Sequence, residues 1–449
     1  MGATHMHDRL FTGVTRLTNE DKRHSLEDVL QGRPEAEVAT ALKAATNTGE
    51  IARVYMAMPI VPGVTNPIFN TAGQTLFAHP IGAENTSGVL EVREGIFPLE
   101  QAGFSFIDHG PLYGDGVFEG VLHFAKPGLP ELLRNDETIF LFREHVNRHY
   151  KGLTQWGIKP YLSQEEFGWR ILQTALEVKE QAASDQSLYF RPLVLSGIGD
   201  LGAGRTKCVL PTMGALVATI QLYPSETYRT GIKLGISSVV AKDPRSLDPN
   251  VKGTQYAQNI QAFLHGTNGG EFKEALMFNG DGYLTEATVD NIFFVIKENG
   301  WETDPNKVEI ITPHPKICLN GLTRRMILHL ADHDPILKSE AEKLANHDSA
   351  IYASTHKGYQ IVNDAMLTAQ DMWALIEDPN TEMFMTGTGC GLMPVIGIKD
   401  KQVGDGQVGP VTKGFLADIT VAMRHRDYGL RLDVTESEYL DYMRQPDLF

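Results

Sequence analysis

Apolar residues recur at two periods along the 449-residue chain, and the switches between them mark its elements. Leu26, Val29, Leu30, Val38 and Leu42 fall at helical spacing, which predicts one or two amphipathic helices over Ser25–Ala45. Residues 58–88 are dense in Pro, Gly, Asn and Thr and read as turns and irregular chain. Val89–Leu99 reads as a hairpin turning at Glu94-Gly95, and Gly103–Ile107 and Glu119–Phe124 as strands. Leu141–Tyr150 and Gln164–Ala182 carry helical patterns, and Tyr189–Gly197 and Ala215–Leu222 are β-type runs. Pro, Ser, Thr and Gly then break the periodicity over Tyr223–Gly231, as an interdomain connection does. Beyond it strands are expected near 232–240, 274–279, 290–296 and 350–354, and helices near 255–266 and 322–332. The pattern predicts an α+β chain: an N-terminal extension (1–89), a small α/β domain (90–222), a connecting loop (223–231) and a large domain (232–449). The extension either packs on the small domain or on a dimer partner, or forms a lid over a site.

Composition narrows the function classes. A length of 449 residues with 42% hydrophobic and 21% charged residues suits two ordinary globular domains sharing a cleft. The formal charge of −16 argues against a nucleic-acid partner, and any anion site must be built locally. Cys208, Cys318 and Cys390 are widely spaced and odd in number, which fits neither a disulfide framework nor a metal knuckle and points to a reducing compartment. No apolar run approaches a membrane span, and the N-terminus lacks both a secretory core and a myristoylation pattern. A cytoplasmic enzyme without metal is the expectation.

The candidate chemistry centres on Lys252, between the loop Asp248-Pro-Asn250 and the helical run Ala257–His265. Such a break lets an amine point into a cleft, where partial desolvation would lower its pKa and make it a nucleophile. Glu286 follows the turn Asn279–Tyr283 and precedes an apolar strand, a place for a carboxylate at the edge of a core. Two segments suit a phosphate. Gly321-Leu322-Thr323 opens a helix with free N–H groups, and Thr386-Gly-Thr388-Gly389 offers backbone and hydroxyls. Arg148 could add the cation that a phosphate dianion needs. Tyr113–Gly120 and Tyr189-Phe-Arg191 combine aromatic walls with hydroxyl and guanidinium groups, as a substrate face does. Lysine, carboxylate and phosphate cradle together are what pyridoxal phosphate requires of its protein. Taken singly, each has a plain structural reading: a solvated lysine, a turn carboxylate, a capped helix, an exposed arginine. Two glycine-rich segments, Gly114–Gly120 and Gly202–Lys207, miss the spacing of dinucleotide and phosphate-loop motifs.

In order and spacing these blocks resemble the fold-type IV (class IV) pyridoxal-phosphate aminotransferases, and most closely those acting on branched-chain amino acids. The resemblance runs from about Val89 to about Val434. It implies a two-domain fold with pyridoxal 5′-phosphate between the domains, in a homodimer. It implies that Lys252 is the Schiff-base lysine and proton carrier, that Glu286 pairs with the pyridine nitrogen and that Tyr256 hydrogen-bonds the ring's phenolic oxygen. Arg148, Leu322, Thr323 and Thr388 would hold the phosphate. Tyr113, Phe118 and Tyr189 would line the substrate pocket. Tyr189 and the backbone at Thr388-Gly389 would bind the α-carboxylate, and Arg191 the distal carboxylate of glutamate. The loop Gly199–Gly204 would lie near the partner's site.

Three departures surround the substrate. Leu122 stands where the branched-chain members carry a basic residue, Gly387-Thr-Gly-Cys-Gly391 replaces a Gly-Thr-Ala-Ala-Glu turn, and the lysine loop is one residue short. The resemblance therefore implies amino acids and 2-oxo acids as partners, with an apolar L-amino acid and 2-oxoglutarate expected. Alternatives within the fold are a D-amino acid or (R)-amine aminotransferase and an aminodeoxychorismate lyase. A non-catalytic binding protein is the alternative from another class.

Overall fold

The structure, a computed structural model, describes residues 52–59, 77–78, 91–99, 102–125, 137–208, 210–220, 223–332 and 358–449. The helices expected over Ser25–Ala45 and the strand near 350–354 lie outside them. Among the described residues, two nine-stranded sheets carry the fold. The first is antiparallel throughout, in the order Gly429–Arg431, Thr138–Phe140, Val121–Phe124, Ser187–Leu195, Thr212–Ile220, Arg53–Pro59, Glu91–Pro98 and Phe77–Ala78. The short strand Gly116–Phe118 also pairs with Ser187–Leu195.

The second sheet is mixed. Its order is Leu284–Ala287, Glu274–Phe278, Ile232–Ile236, Gly391–Ile398, Thr381–Gly387, Asn291–Lys297, Val308–Pro313 and Gln360–Ala365, with Lys401–Gln402 against Gly391–Ile398. Three of its pairings are parallel.

Strand alternation aims the site. Along Ser187–Leu195, Leu188, Phe190 and Val194 are fully buried and pack with Phe142, Phe167 and Ile171 of the helices Phe142–Trp156 and Gln164–Lys179. The period of two then sends Tyr189, Arg191 and Leu193 to the opposite face, where they line a cavity. Ser163 caps the second of these helices by a reciprocal capping box with Glu166. A second cluster joins the sheets, with Leu122, Phe124 and Phe140 from the first meeting Phe293, Leu322, Phe384 and Phe415 from the second. Leu122 is thus a core residue, and a basic side chain there would be buried among hydrocarbon.

The sequence expectations are met for the main strands and helices and corrected in three places. Glu91–Pro98 is one unbroken strand, not a hairpin turning at Glu94-Gly95. The polar pair does not turn because Glu94 is satisfied inside the fold, accepting from the Tyr55 hydroxyl at 2.5 Å and from Arg170 Nη2 at 3.0 Å. Residues 103–107 form no strand, and Asp108 instead caps the helix His109–Tyr113 by accepting from Gly110 N at 2.8 Å. The boundary expected at residue 89 cuts through the first sheet, because Arg53–Pro59 lies between Thr212–Ile220 and Glu91–Pro98. The same sheet takes Gly429–Arg431 at its edge, and Tyr439 of the helix Glu436–Met443 sits in its core. The connection Tyr223–Gly231 contains the short helix Ser225–Thr230. Among the described residues, no helix is long and apolar enough to cross a membrane.

Candidate active site

The Lys252 loop is fixed by the first sheet. Phe118 N donates to Lys252 O at 3.0 Å, Thr254 N to Gly116 O at 2.9 Å, and the Thr254 hydroxyl to Gly114 O at 2.5 Å. The Lys252 side chain is half-buried, with Nζ donating to the Tyr256 hydroxyl at 3.1 Å and lying 5.1 Å from the centre of the Phe118 ring. Burial disfavours its ammonium, but Tyr256 and Glu119 outweigh burial and the repulsion of Arg148, and the pKa stands above the ordinary lysine value. The expected depression of this amine is therefore corrected: in the protein alone, neighbouring oxygens hold Lys252 as a cation.

Two cavities meet at Lys252 and Tyr256. Glu286, Lys242, Asn259 and Leu319 line the smaller one. Among the described residues the hydrogen bonds of Glu286 fall on Oε2, from Asn291 Nδ2 at 3.0 Å and Leu319 N at 3.2 Å, which leaves Oε1 for a ligand. Burial pushes the Glu286 carboxyl up to about 7, against the pull of Leu319 N and the two lysines. A protonated pyridine nitrogen would supply the missing positive partner, and in this respect the site fits the cofactor.

Beside it, Asn320-Gly321 leads into the helix Leu322–Asp332, whose first N–H groups have no partner within the helix. A Cβ at Gly321 would collide with Asn291 Oδ1, so the turn needs glycine to come this close to the residue that holds Glu286. Arg148 reaches the turn, its Nη1 3.4 Å from Asn320 O. The guanidinium is held from behind by Glu119, with Nε to Oε1 at 2.7 Å and Nη2 to Oε2 at 2.8 Å. His145 Nδ1 lies 2.9 Å from the same Oε2. Burial opposes the Glu119 charge, yet Arg148 and His145 hold the carboxyl far below its usual range. Cation and helix start together suit a phosphate dianion.

The larger cavity, of about 750 Å³, is walled by Phe118, Tyr189, Arg191, Tyr223, Asp290 and the turn Thr388-Gly389-Cys390. Arg191 Nη2 donates to the Tyr189 hydroxyl at 2.6 Å and its guanidinium stacks 4.7 Å over Phe118. Asp290, pushed up to about 6 by burial, lies 3.5 Å from the Cys390 thiol.

Of the residues singled out from the sequence, Lys252, Tyr256 and Glu286 share one cavity, and Lys252, Tyr256, Phe118, Tyr189, Arg191, Thr388 and Gly389 share the other. Arg148, Leu322 and Thr323 gather at the adjoining turn. Tyr113 is not with them. It is 43% exposed and its hydroxyl donates to Leu201 O at 2.5 Å, in the loop Gly199–Gly204. Glu119 was missed, because its partners His145 and Arg148, three apart on one helical face, belong to another element. Among the described residues no His, Cys, Asp and Glu cluster could hold a metal, and the three cysteines are free thiols.

A profile of the family described as amino-transferase class IV matches residues 116–364, more than half of the chain. The putative branched-chain-amino-acid aminotransferase of Methanocaldococcus jannaschii is 29% identical over 314 residues, 70% of this chain and 89% of that protein. The D-alanine aminotransferase of Bacillus licheniformis is 25% identical over 312 residues, 68% of this chain and 87% of that one. The crystal structure of the branched-chain amino acid aminotransferase from Thermobaculum terrenum in its PLP-form superposes with a TM-score of 0.56 at 18% identity, over 76% of this chain and 96% of that one. That likeness shows the shared fold.

Proposed function

The chain belongs to the class IV aminotransferases, which are pyridoxal-phosphate enzymes, and from that premise we propose that it exchanges an amino group between an apolar, branched-chain-type L-amino acid and 2-oxoglutarate. The observation that carries the reading is the meeting of two cavities at Lys252: one holds a carboxylate with a free oxygen, the other a Tyr–Arg pair. Bound pyridoxal phosphate supplies a cationic ring that stabilises negative charge at the amino acid's α-carbon. Lys252 Nζ would hold the cofactor covalently and, as a free amine, would accept and return the proton at the amino acid's α-carbon. Tyr256 steadies that amine through the 3.1 Å hydrogen bond. Glu286 keeps the ring nitrogen protonated, while Arg148, Leu322, Thr323 and Thr388 hold the phosphate. The backbone at Thr388-Gly389 and the Tyr189 hydroxyl receive the α-carboxylate, and Arg191 the distal carboxylate of glutamate. Phe118 and Leu193 exclude water from an apolar side chain.

Tyr113, away from the chain's own cavity beside Leu201, belongs in this reading to a homodimer contact. The proposal extends to a cytoplasmic enzyme of amino-acid biosynthesis. A second reading, a D-amino acid or (R)-amine substrate, is favoured by Leu122, which is core-packed where branched-chain members carry a basic residue.

The absorption spectrum of the purified enzyme separates these readings during additions of L-leucine, L-glutamate, D-alanine and an (R)-arylalkylamine. Bleaching of the visible band by the two L-amino acids supports the first. Bleaching by D-alanine or the amine alone replaces the substrate and keeps the cofactor, and no band with added cofactor overturns the role of Lys252.

A further inference from the structure

Behind the Gly387–Gly391 turn lies a cavity of about 450 Å³ to which the function proposed above assigns no role. It shares Tyr223, Gly389 and Cys390 with the substrate cavity, so the turn is a wall of both. Its far side is aliphatic, formed by Leu392, Val408 and Leu416, with the helix Pro410–Ala422 as floor. Arg424 projects into its lining without an ion pair among the described residues. Nη1 donates to Thr420 O at 3.0 Å, the guanidinium lies 4.9 Å over the Phe124 ring, and Nε is buried with no hydrogen-bond partner among the described residues. Tyr228 lies within electrostatic reach and also lines the cavity, packed edge-on against Tyr223 with ring centres 6.3 Å apart. The acid of this lining, Glu226, is engaged at the surface with Arg229.

A buried N–H donor without an acceptor costs free energy unless something supplies one. A buried cation without a counterion costs more, and burial does lower the Arg424 pKa to about 10. The arrangement repeats the logic of the substrate cavity, where Arg191 stacks on Phe118 beside the Tyr189 hydroxyl. In both, a guanidinium lies over an aromatic ring, a phenol stands near it and apolar walls complete the space. A volume of this size is that of a small-molecule site.

We propose that this cavity is a second binding site, for a small apolar carboxylate, with Arg424 as its carboxylate partner and Tyr228 as an added donor. The aliphatic walls take the body of the ligand, and the unpaired Nε–H gains an acceptor. Because the two cavities share the Gly389-Cys390 wall, a ligand here also touches the segment that bounds the substrate cavity. The site stands on its own geometry and does not depend on which amino acid is the substrate.

Titration calorimetry of the cofactor-loaded enzyme with para-bromophenylacetate, which has no amino or oxo group to react, tests it. Arg424→Met keeps a stem over Phe124 and removes the charge. In the Arg191→Met background, which removes the substrate cavity's own carboxylate partner, we expect Arg424→Met to weaken the remaining binding about tenfold to a hundredfold, the size of a lost charge-assisted hydrogen bond. Equal affinity with and without Arg424→Met in that background, or no binding left in Arg191→Met alone, overturns the proposal. Should Arg424→Met not fold, anomalous scattering from bromine in crystals of the wild-type complex decides. Bromine between Leu416 and Tyr228 supports the site; bromine beside Phe118 alone, or none bound, sinks it.

Discussion

Glu119 and Glu286 both lie within electrostatic reach of Lys252, and the two sides of the site treat them in opposite ways. On the first-sheet side, Glu119 takes two hydrogen bonds from Arg148 and lies against His145, so both oxygens are engaged and the carboxyl stays ionised. On the second-sheet side, Glu286 receives its two hydrogen bonds on one oxygen and burial pushes it up to about 7. The protein has completed the first group itself and left the second for a ligand to complete. A satisfied buried carboxylate acts as scaffold, whereas a half-satisfied one beside a lysine marks a place for chemistry.

The largest effect that would break this comparison is on stability. Glu119→Ala strands Arg148 and His145 in the interior, and urea unfolding should show a loss of about 3–5 kcal/mol. A loss under 1 kcal/mol would mean that Arg148 finds another partner and that Glu119 is no scaffold. Glu286→Gln should do the reverse. The amide keeps an acceptor for Asn291 and Leu319 N, so the fold survives, while turnover in a coupled transamination assay falls about a hundredfold or more. Retained turnover would remove Glu286 from the chemistry.

How far these roles could be read from the chain differs between the two carboxylates. Glu286 was singled out because it stands between a turn and an apolar strand in a block that resembles the family's, and the structure places it in one cavity with Lys252. Glu119 was hidden because its partners are remote: Arg148 and His145 come from another element, and sequence spacing does not report contact across elements. The same limit explains the errors in the fold. Glu94-Gly95 carries a turn signature, but Tyr55 and Arg170 satisfy the acid and the strand runs on. Arg53–Pro59 looked like part of an extension because the irregular composition just beyond it masked a strand that pairs with residues more than 150 positions away. Tyr113 belonged to a block of the right type, yet its helix turns it toward Leu201. Local pattern carried the elements and the lysine loop; contacts between remote elements carried the rest.

The asymmetry between the carboxyls should also appear in pH dependence. The folded pKa of Glu286, about 7, lies above the ordinary 4.5, so between these values the folded state holds more protons than the unfolded one. Stability of the cofactor-free protein therefore falls as pH rises from 5 to 7.5. Asp290, at about 6, and Glu274, at about 7, act in the same direction. Glu119, depressed instead, contributes stability that is already complete in this window and is lost only in strong acid. Urea unfolding at both pH values should show Glu286→Gln removing about 2–3 kcal/mol of the decline. An unchanged decline would show that Glu286 titrates normally.

The smallest effect separates two neighbours in sequence. Gly120 follows Glu119, but a Cβ at Gly120 would collide with the Tyr189 hydroxyl, whereas the Glu119 oxygens face Arg148. Gly120→Ala should therefore displace the phenol from Arg191 at a cost of about 1–2 kcal/mol. It should raise KM for both substrates by about tenfold, change kcat less, and leave the visible cofactor band intact. If the band is lost as well, the two halves of the site are coupled through this strand. The scaffold around Glu119 would then extend into the substrate wall, and its separation from the chemistry would not hold.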